Sequence, residues 1–362
     1  MKRWLVILGI LLFVVAAAGG AIVLWRERQL VTFSSAPYTA VADDTETLVL
    51  VASGTGPRRL ATQLHAAGVV RDADLTYRWI RHEALGPKLQ AGEYGFKGAL
   101  TPRQVLEKIV NGEVKTYRFT IPEGLRLDEI LPLLTSSELR LDAKELETLT
   151  DDAAFLETLG IPAGTLEGFL FPDTYTFTKP FTPDSVLKKM VSRAMEEYKT
   201  ADAQRKPGVR LGLLQTFTLA SIVEKETGAV EERPRISCVF HNRLRQRMKL
   251  QTDPTVLYAT MLVRGRFVKN ITSKDLVTDH PYNTYTRTGL PPGPIASPGA
   301  AALRATLAPL DCEDLFFVSR NDGTHVFCPT LKCHEAAVEE WQRRFFRKSP
   351  ATKRSGGKKR KR

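Results

Sequence analysis

The sequence predicts an α+β protein: an N-terminal transmembrane helix, a small α/β module and a larger mixed α+β domain. Three observations carry this. A chain of 362 residues is too long for one small domain and suits about two, at roughly 150 residues each. Only one long apolar run lacks charge, and it lies at the N-terminus, which excludes a polytopic membrane protein. At 43% hydrophobic and 25% charged residues there is enough apolar surface for a core, so wholesale disorder is excluded as well. Behind the apolar run, short β-branched segments alternate with amphipathic helical ones, punctuated by Gly and Pro.

The net charge of +12 invites a nucleic-acid partner until its position is considered. From Arg343 onward there are 11 basic and no acidic residues, which leaves 41 basic against 40 acidic in the rest of the chain. A near-neutral body with a basic tail lacks the spread of cations that tracks phosphates, so no nucleic-acid partner is expected.

In chain order, residues 1–3 form a short cytoplasmic lead and residues 4–25 a membrane span. About 22 residues at 1.5 Å rise cross the ~30 Å hydrocarbon layer. Lys2 and Arg3 precede the run and Trp4 and Trp25 stand at its ends, so the N-terminus is expected inside, although Arg26 and Arg28 argue against that orientation. A cleaved signal peptide is the alternative, with Ala16, Ala17 and Ala18 as small residues, but the run exceeds the usual h-region. The expected location is the cytoplasmic (inner) membrane, single-pass, with the rest of the chain in the periplasm or otherwise outside the cytoplasm.

Residues 26–45 read as a polar, irregular tether. Residues 46–113 form the small module: a strand over 47–52, a turn at Ser53-Gly54-Thr55-Gly56-Pro57, helices through Leu60, Leu64 and Val69 and then Leu75, Trp79 and Ile80, a strand over 92–96, and a third helix capped by Thr101-Pro102. Asn111-Gly112 closes it. In size, strand-helix-helix-strand order and opening Ser-Gly-Thr it loosely resembles a glycan-binding LysM module; a structural spacer is the plainer reading. Residues 116–345 form the larger domain and 346–362 a basic tail.

Outside the cytoplasm disulfides persist. Cys238 falls in an amphipathic pattern with Ile236, Val239, Phe240 and Leu244 and reads as a buried, reduced thiol. Asn321-Asp322-Gly323 reads as a hairpin turn that returns the chain toward Cys312, so one disulfide is expected among Cys312, Cys328 and Cys333. His325, Cys328, Cys333 and His334 lack a standard zinc spacing, and no metal or cofactor is expected.

The most informative stretch is a helix over 211–227, apolar nearly all round and therefore buried, expected to stop at a left-handed Gly228. Its last turn holds Glu224 and Glu226, about 200° apart, so the two carboxylates cannot face one another. Both sit at the negative end of the helix dipole, where partial burial also raises a carboxyl pKa, as a general acid requires. Composition alone would leave both on the surface, paired with Lys225, Arg233 or Arg235. Beyond them come Leu250-Gln251-Thr252-Asp253-Pro254-Thr255-Val256, with Asp253 as helix N-cap, and the loops Pro281-Tyr282-Asn283-Thr284-Tyr285 and Thr288-Gly289-Leu290-Pro291-Pro292-Gly293. Tyr, Asn, Thr and Pro in rigid loops suit a sugar; the same loops also suit purely structural packing.

Ala220-Ser221-Ile222-Val223-Glu224-Lys225-Glu226-Thr227, Phe240-His241-Asn242-Arg243-Leu244 and the three segments above make the chain strongly resemble the endolytic murein transglycosylase (YceG-like) family. The resemblance runs from the anchor through Glu167-Gly168 and Pro172-Asp173-Thr174 to about Trp341. It implies a membrane-anchored enzyme that cuts peptidoglycan glycan strands internally, terminating nascent strand elongation, with Glu226 catalytic and cell-wall synthases as partners. Gln251, Thr252, Asp253, Tyr282, Asn283 and Tyr285 are the candidates for positioning the sugar. A muramidase-type hydrolase and a non-catalytic peptidoglycan-binding scaffold are the alternatives. The family usually lacks Cys328, Cys333 and the basic tail, which therefore inherit no role.

Overall fold

The computed structural model describes residues 2–38 and 45–344. The basic tail and part of the expected tether lie outside them. The chain divides into two compact units, one of residues 1–118 with 176–181, the other of residues 119–175 and 182–362.

In the first unit, α1 (Lys2–Ser35) is followed by β1 (Thr47–Val51), α2 (Pro57–Ala66), α3 (Ala73–His82), β2 (Gly92–Phe96), α4 (Pro102–Asn111) and β3 (Thr116–Thr120). β1 and β2 pair antiparallel, from Thr47 opposite Phe96 to Val51 opposite Gly92, which gives the strand-helix-helix-strand order expected of the module. Leu60 and Leu64, four apart on α2, close a fully buried core with Ile80, Tyr94, Leu106 and Ile109. Each such side chain contributes about 2 kcal/mol. The ends are set locally. Asp72 accepts the Leu75 N–H at 2.8 Å, Thr101 and Gln104 form a reciprocal capping box, and Gly112 turns left-handed at φ 69° to end α4.

α1 corrects the expected tether. It carries a stretch long and apolar enough to cross a membrane, then continues as helix through residues 26–35. Leu30 packs on the module core, Phe33 and Ser34 are buried, and the Tyr38 N–H reaches the Leu100 carbonyl at 3.0 Å. The polar residues of that segment cover only one side of a helix whose other side is docked.

The second unit contains α5 (Leu127–Ser136), α6 (Ala143–Asp151), α7 (Ala153–Thr158), α8 (Pro183–Asp202), α9 (Leu213–Glu226), α10 (Arg233–Arg245), α11 (Asp253–Arg264), α12 (Ser273–Val277), α13 (Ala300–Leu307), β5 (Phe316–Ser319), β6 (His325–Cys328) and α14 (Leu331–Val338), while β4 (Thr174–Thr178), like β3, has residues in both units. β4 pairs with β3, and β5 with β6 as the expected hairpin. α9 is the central helix, buried from Thr216 to Val223 and packed against α10, α11 and α13. The loop over 291–299 is mostly buried beside it. Ser221 Oγ accepts the Ile295 N–H at 3.0 Å, and the Gly124 N–H reaches the Ser297 carbonyl at 2.9 Å. Gly168, at φ 81°, lies so close that an added Cβ would stand 2.3 Å from Pro294 Cβ, so this contact requires glycine.

The cysteine expectation holds in part: one bridge does form within the set Cys312, Cys328 and Cys333, but Cys238 is not reduced. Cys238 is buried but bonded to Cys312, and Cys328 is bonded to Cys333. The reason is long-range: the segment carrying Cys312 lies along α10, where Asn242 Nδ2 donates to the carbonyls of Cys312 at 3.0 Å and Asp314 at 2.9 Å. Cys238, one turn before Asn242, therefore meets it. The zinc alternative is occupied by other bonds, because both of its cysteines form one disulfide and His325 pairs with Glu232 at 2.7 Å.

Candidate active site

Glu226 is the last residue of α9. The helix ends there because Thr227 turns extended at φ −143° and accepts the Ala229 N–H at 3.0 Å; Gly228, contrary to expectation, is not left-handed. Glu226 is half-buried, and the Thr252 hydroxyl donates to its Oε1. Burial pushes its carboxyl up to about 7. The Thr252 hydrogen bond works against that rise, the Asp253 charge adds to it, and the Arg243 guanidinium opposes it.

Thr252, rather than Asp253, is the N-cap of α11. Its hydroxyl makes no cap bond, being turned to Glu226 instead. The Thr252 N–H donates to Thr284 Oγ1 at 3.0 Å, and Thr284 Oγ1 also meets Thr255 Oγ1 at 2.8 Å, so the loop over 281–285 is locked to the start of α11. Gln251, exposed, has φ 47°, a left-handed conformation unusual for a residue with a Cβ, held by its N–H bond to the Thr284 carbonyl at 3.2 Å. The Tyr285 hydroxyl donates to Asp253 Oδ1 at 2.7 Å. Burial, then that bond, pushes the Tyr285 phenol up, so it stays a donor.

Glu226, Thr252, Asp253 and Tyr285 are thus brought together, with Gln251 adjoining them. Asn283 is not available to a sugar in this conformation. It is 1% exposed, its Nδ2 donates to the carbonyls of Asp275, Leu276 and Thr278, and its Oδ1 accepts the Tyr285 N–H at 2.9 Å. It is a clamp that shapes the loop. Tyr282 packs its ring 4.9 Å from that of Tyr258, whose hydroxyl donates to Glu167 at 3.2 Å.

Glu224 points elsewhere, as the 200° separation requires, but it is no surface charge. Its side chain and that of Arg233 are each 5% exposed and meet at 2.6 Å, and Glu224 also accepts the Gly299 N–H at 3.0 Å. Burial pushes its pKa up, while Gly299 and Arg233 pull the other way.

Three residues were not assigned a role from sequence. Arg243 is buried, donates to the carbonyls of Leu315 at 2.7 Å and Leu250 at 2.5 Å, and lends its charge to Glu226. Its signal was present: Ile236, Phe240 and Arg243 share one face of α10, an arginine on an apolar stripe. Thr284 is the second. The third, Glu167, is buried, and its carboxyl is pushed up to about 7 by desolvation, opposed by the Leu127 N–H at 3.1 Å and the Tyr258 hydroxyl.

Residues 49–340 match the model of the YceG-like family. The chain is 31% identical over 319 residues to the endolytic murein transglycosylase of Bacillus subtilis (strain 168), covering 83% of this chain and 87% of that one. It is 28% identical over 323 residues to the protein of the same name from Streptococcus pneumoniae serotype 2, covering 80% of this chain and 57% of that one. The crystal structure of a YceG-like protein from Listeria monocytogenes matches with a TM-score of 0.53 at 29% identity, covering 81% of this chain and 99% of that one. The matched span runs from the first strand of the small module through Glu226 and its loops to α14, and the chain belongs to the YceG-like family.

Proposed function

We propose that this protein is an endolytic murein transglycosylase that cleaves the β-1,4 bond between N-acetylmuramic acid and N-acetylglucosamine inside peptidoglycan strands, leaving 1,6-anhydro ends. The observation that carries this reading is the half-buried carboxyl of Glu226 at the end of a buried helix, met by the Thr252 hydroxyl and pushed up to about 7 by burial. Glu226 donates that proton to the glycosidic oxygen as the C1–O bond breaks. The C6 hydroxyl oxygen of the same muramic residue closes on C1, and its proton returns to the Glu226 carboxylate. Acid and base are one group, and the nucleophile belongs to the substrate, so no second carboxylate at glycosidase spacing is needed. Thr252 orients the Glu226 carboxyl, Arg243 stabilises its ionised form between the two steps, and Gln251, Asp253, Tyr282 and Tyr285 contact the sugar.

The names of the bacillar and pneumococcal relatives support the activity. In this reading α1 anchors the enzyme in the cytoplasmic membrane with both units outside the cytoplasm, the small module holds glycan in the manner of a LysM module, and cleavage terminates strands made by neighbouring synthases. The test is mass spectrometry of strand ends after digestion of purified sacculi. Ends lighter by one water than hydrolysed ones, lost in Glu226→Gln, are expected; reducing ends alone would turn the reading to a hydrolase, and no new ends to a scaffold.

A further inference from the structure

Arg26 and Arg28 lie just beyond the outer end of the apolar run, where the positive-inside rule disfavours cations. The structure gives one of them a setting. Because α1 is unbroken to Ser35 and its last turns are docked on the module through Leu30 and Phe33, the height of the module above the membrane is set by helix geometry. At 1.5 Å per residue, Arg28 stands about 4.5 Å and Thr32 about 10 Å beyond Trp25. The polar headgroup zone is roughly 5–8 Å deep on each side of the hydrocarbon.

At that height a cleft of about 430 Å³ opens between α1 and the start of α3, lined by Trp25, Arg28, Gln29, Thr32, Arg71 and Leu75 among others. Its two arginines come from different elements, are exposed, and have no carboxylate partner among the described residues. The acid in the lining, Asp72, is engaged in capping α3 through the Leu75 N–H at 2.8 Å. Gln29 and Thr32 add neutral donors, and Trp25 supplies the amphipathic wall found at headgroup level. Two cations lining one cleft with polar donors suit a phosphate diester, and the continuity of the cleft with the span brings lipid to it.

We propose that this cleft binds the anionic phosphate headgroup of an outer-leaflet phospholipid, holding the small module against the membrane surface. The proposal goes beyond the glycan chemistry and rests on α1 being a retained span.

The test is native mass spectrometry of the full-length protein in nonionic detergent, with phosphatidylglycerol and phosphatidylcholine supplied at equal concentration. The wild type should retain one phosphatidylglycerol in preference to phosphatidylcholine. Each arginine near an anionic headgroup is worth about fivefold, so R28A/R71A should weaken phosphatidylglycerol retention at least tenfold, with R28A and R71A intermediate. R26A should leave it unchanged, since Arg26 projects about 200° from Arg28. An R26A loss equal to that of R28A/R71A would mean diffuse attraction and overturn the site. Displacement of the lipid by millimolar inorganic phosphate would make it a free-anion site. The intact mass in the same spectrum tests the span separately: a protein beginning near Gly19 removes the membrane premise, and with it the proposal, while leaving the glycan activity standing.

Discussion

Replacing Glu226 with glutamine should make the protein more stable in alkali while it removes turnover. An unfolded glutamate titrates near 4.5, and burial pushes Glu226 up to about 7. Between those values the folded state keeps a proton that the unfolded state releases, so this group's contribution to stability is fully present below 4.5 and is lost as pH rises through 7. At about 1.4 kcal/mol per pH unit the loss is about 3 kcal/mol, and solvent contact at the half-buried carboxyl reduces it toward about 2 kcal/mol. Glutamine keeps the volume, can accept the Thr252 hydroxyl and carries no charge, so it escapes the loss. Calorimetry of wild type and Glu226→Gln should give coincident transitions at pH 4 and a variant higher by roughly 5–10 °C at pH 8, using about 2–4 °C per kcal/mol for a unit of this size. Glu167, also pushed up to about 7, contributes equally to both proteins and cancels. A gap independent of pH, or one confined to acid, would refute the claim that Glu226 is a desolvated proton reservoir.

Thr252→Val removes the hydrogen bond that favours ionised Glu226, so the alkaline limb of kcat/KM should move to higher pH; an unmoved limb would separate Thr252 from the proton transfer. Glu224→Gln leaves Arg233 buried with, among the described residues, only the Glu123 carboxylate at 3.4 Å and should cost about 3 kcal/mol in unfolding free energy without moving that limb, so that activity lost through Glu224 tracks stability and not pH. The Cys238–Cys312 bridge spans 74 residues and Cys328–Cys333 spans 5, so by chain entropy the Cys238→Ser/Cys312→Ser variant should lose about 4 kcal/mol and the Cys328→Ser/Cys333→Ser variant about 2 kcal/mol in denaturant unfolding. Equal losses would argue against the loop-length account.

What was legible in the sequence was what local chemistry decides. Thr101-Pro102 and Asn111-Gly112 marked both ends of α4, and the apolar circumference of α9 marked a buried helix with carboxyls at its end. What was not legible depended on partners distant in sequence. Glu224 is buried because Arg233 and the Gly299 N–H come to it, and Cys238 is bonded because a segment 74 residues away lies along α10. Asn283 looked like a sugar ligand by residue type, yet three preceding carbonyls take its amide, which no composition signals. The extension of α1 was hidden differently: Leu30 and Phe33, three apart, were an apolar stripe too short to stand out among polar neighbours.

That extension bears on where the chain can be cut. A soluble form designed to begin after an irregular tether, at residue 36 or beyond, would strip Leu30, Phe33 and Ser34 from the small module and open its core to water. A form beginning directly after Trp25 keeps the docked turns and sheds the apolar ones. The boundary between the apolar stretch and the module therefore falls within a continuous helix rather than at its end, and the last turns of α1 are as much a part of the module as its strands.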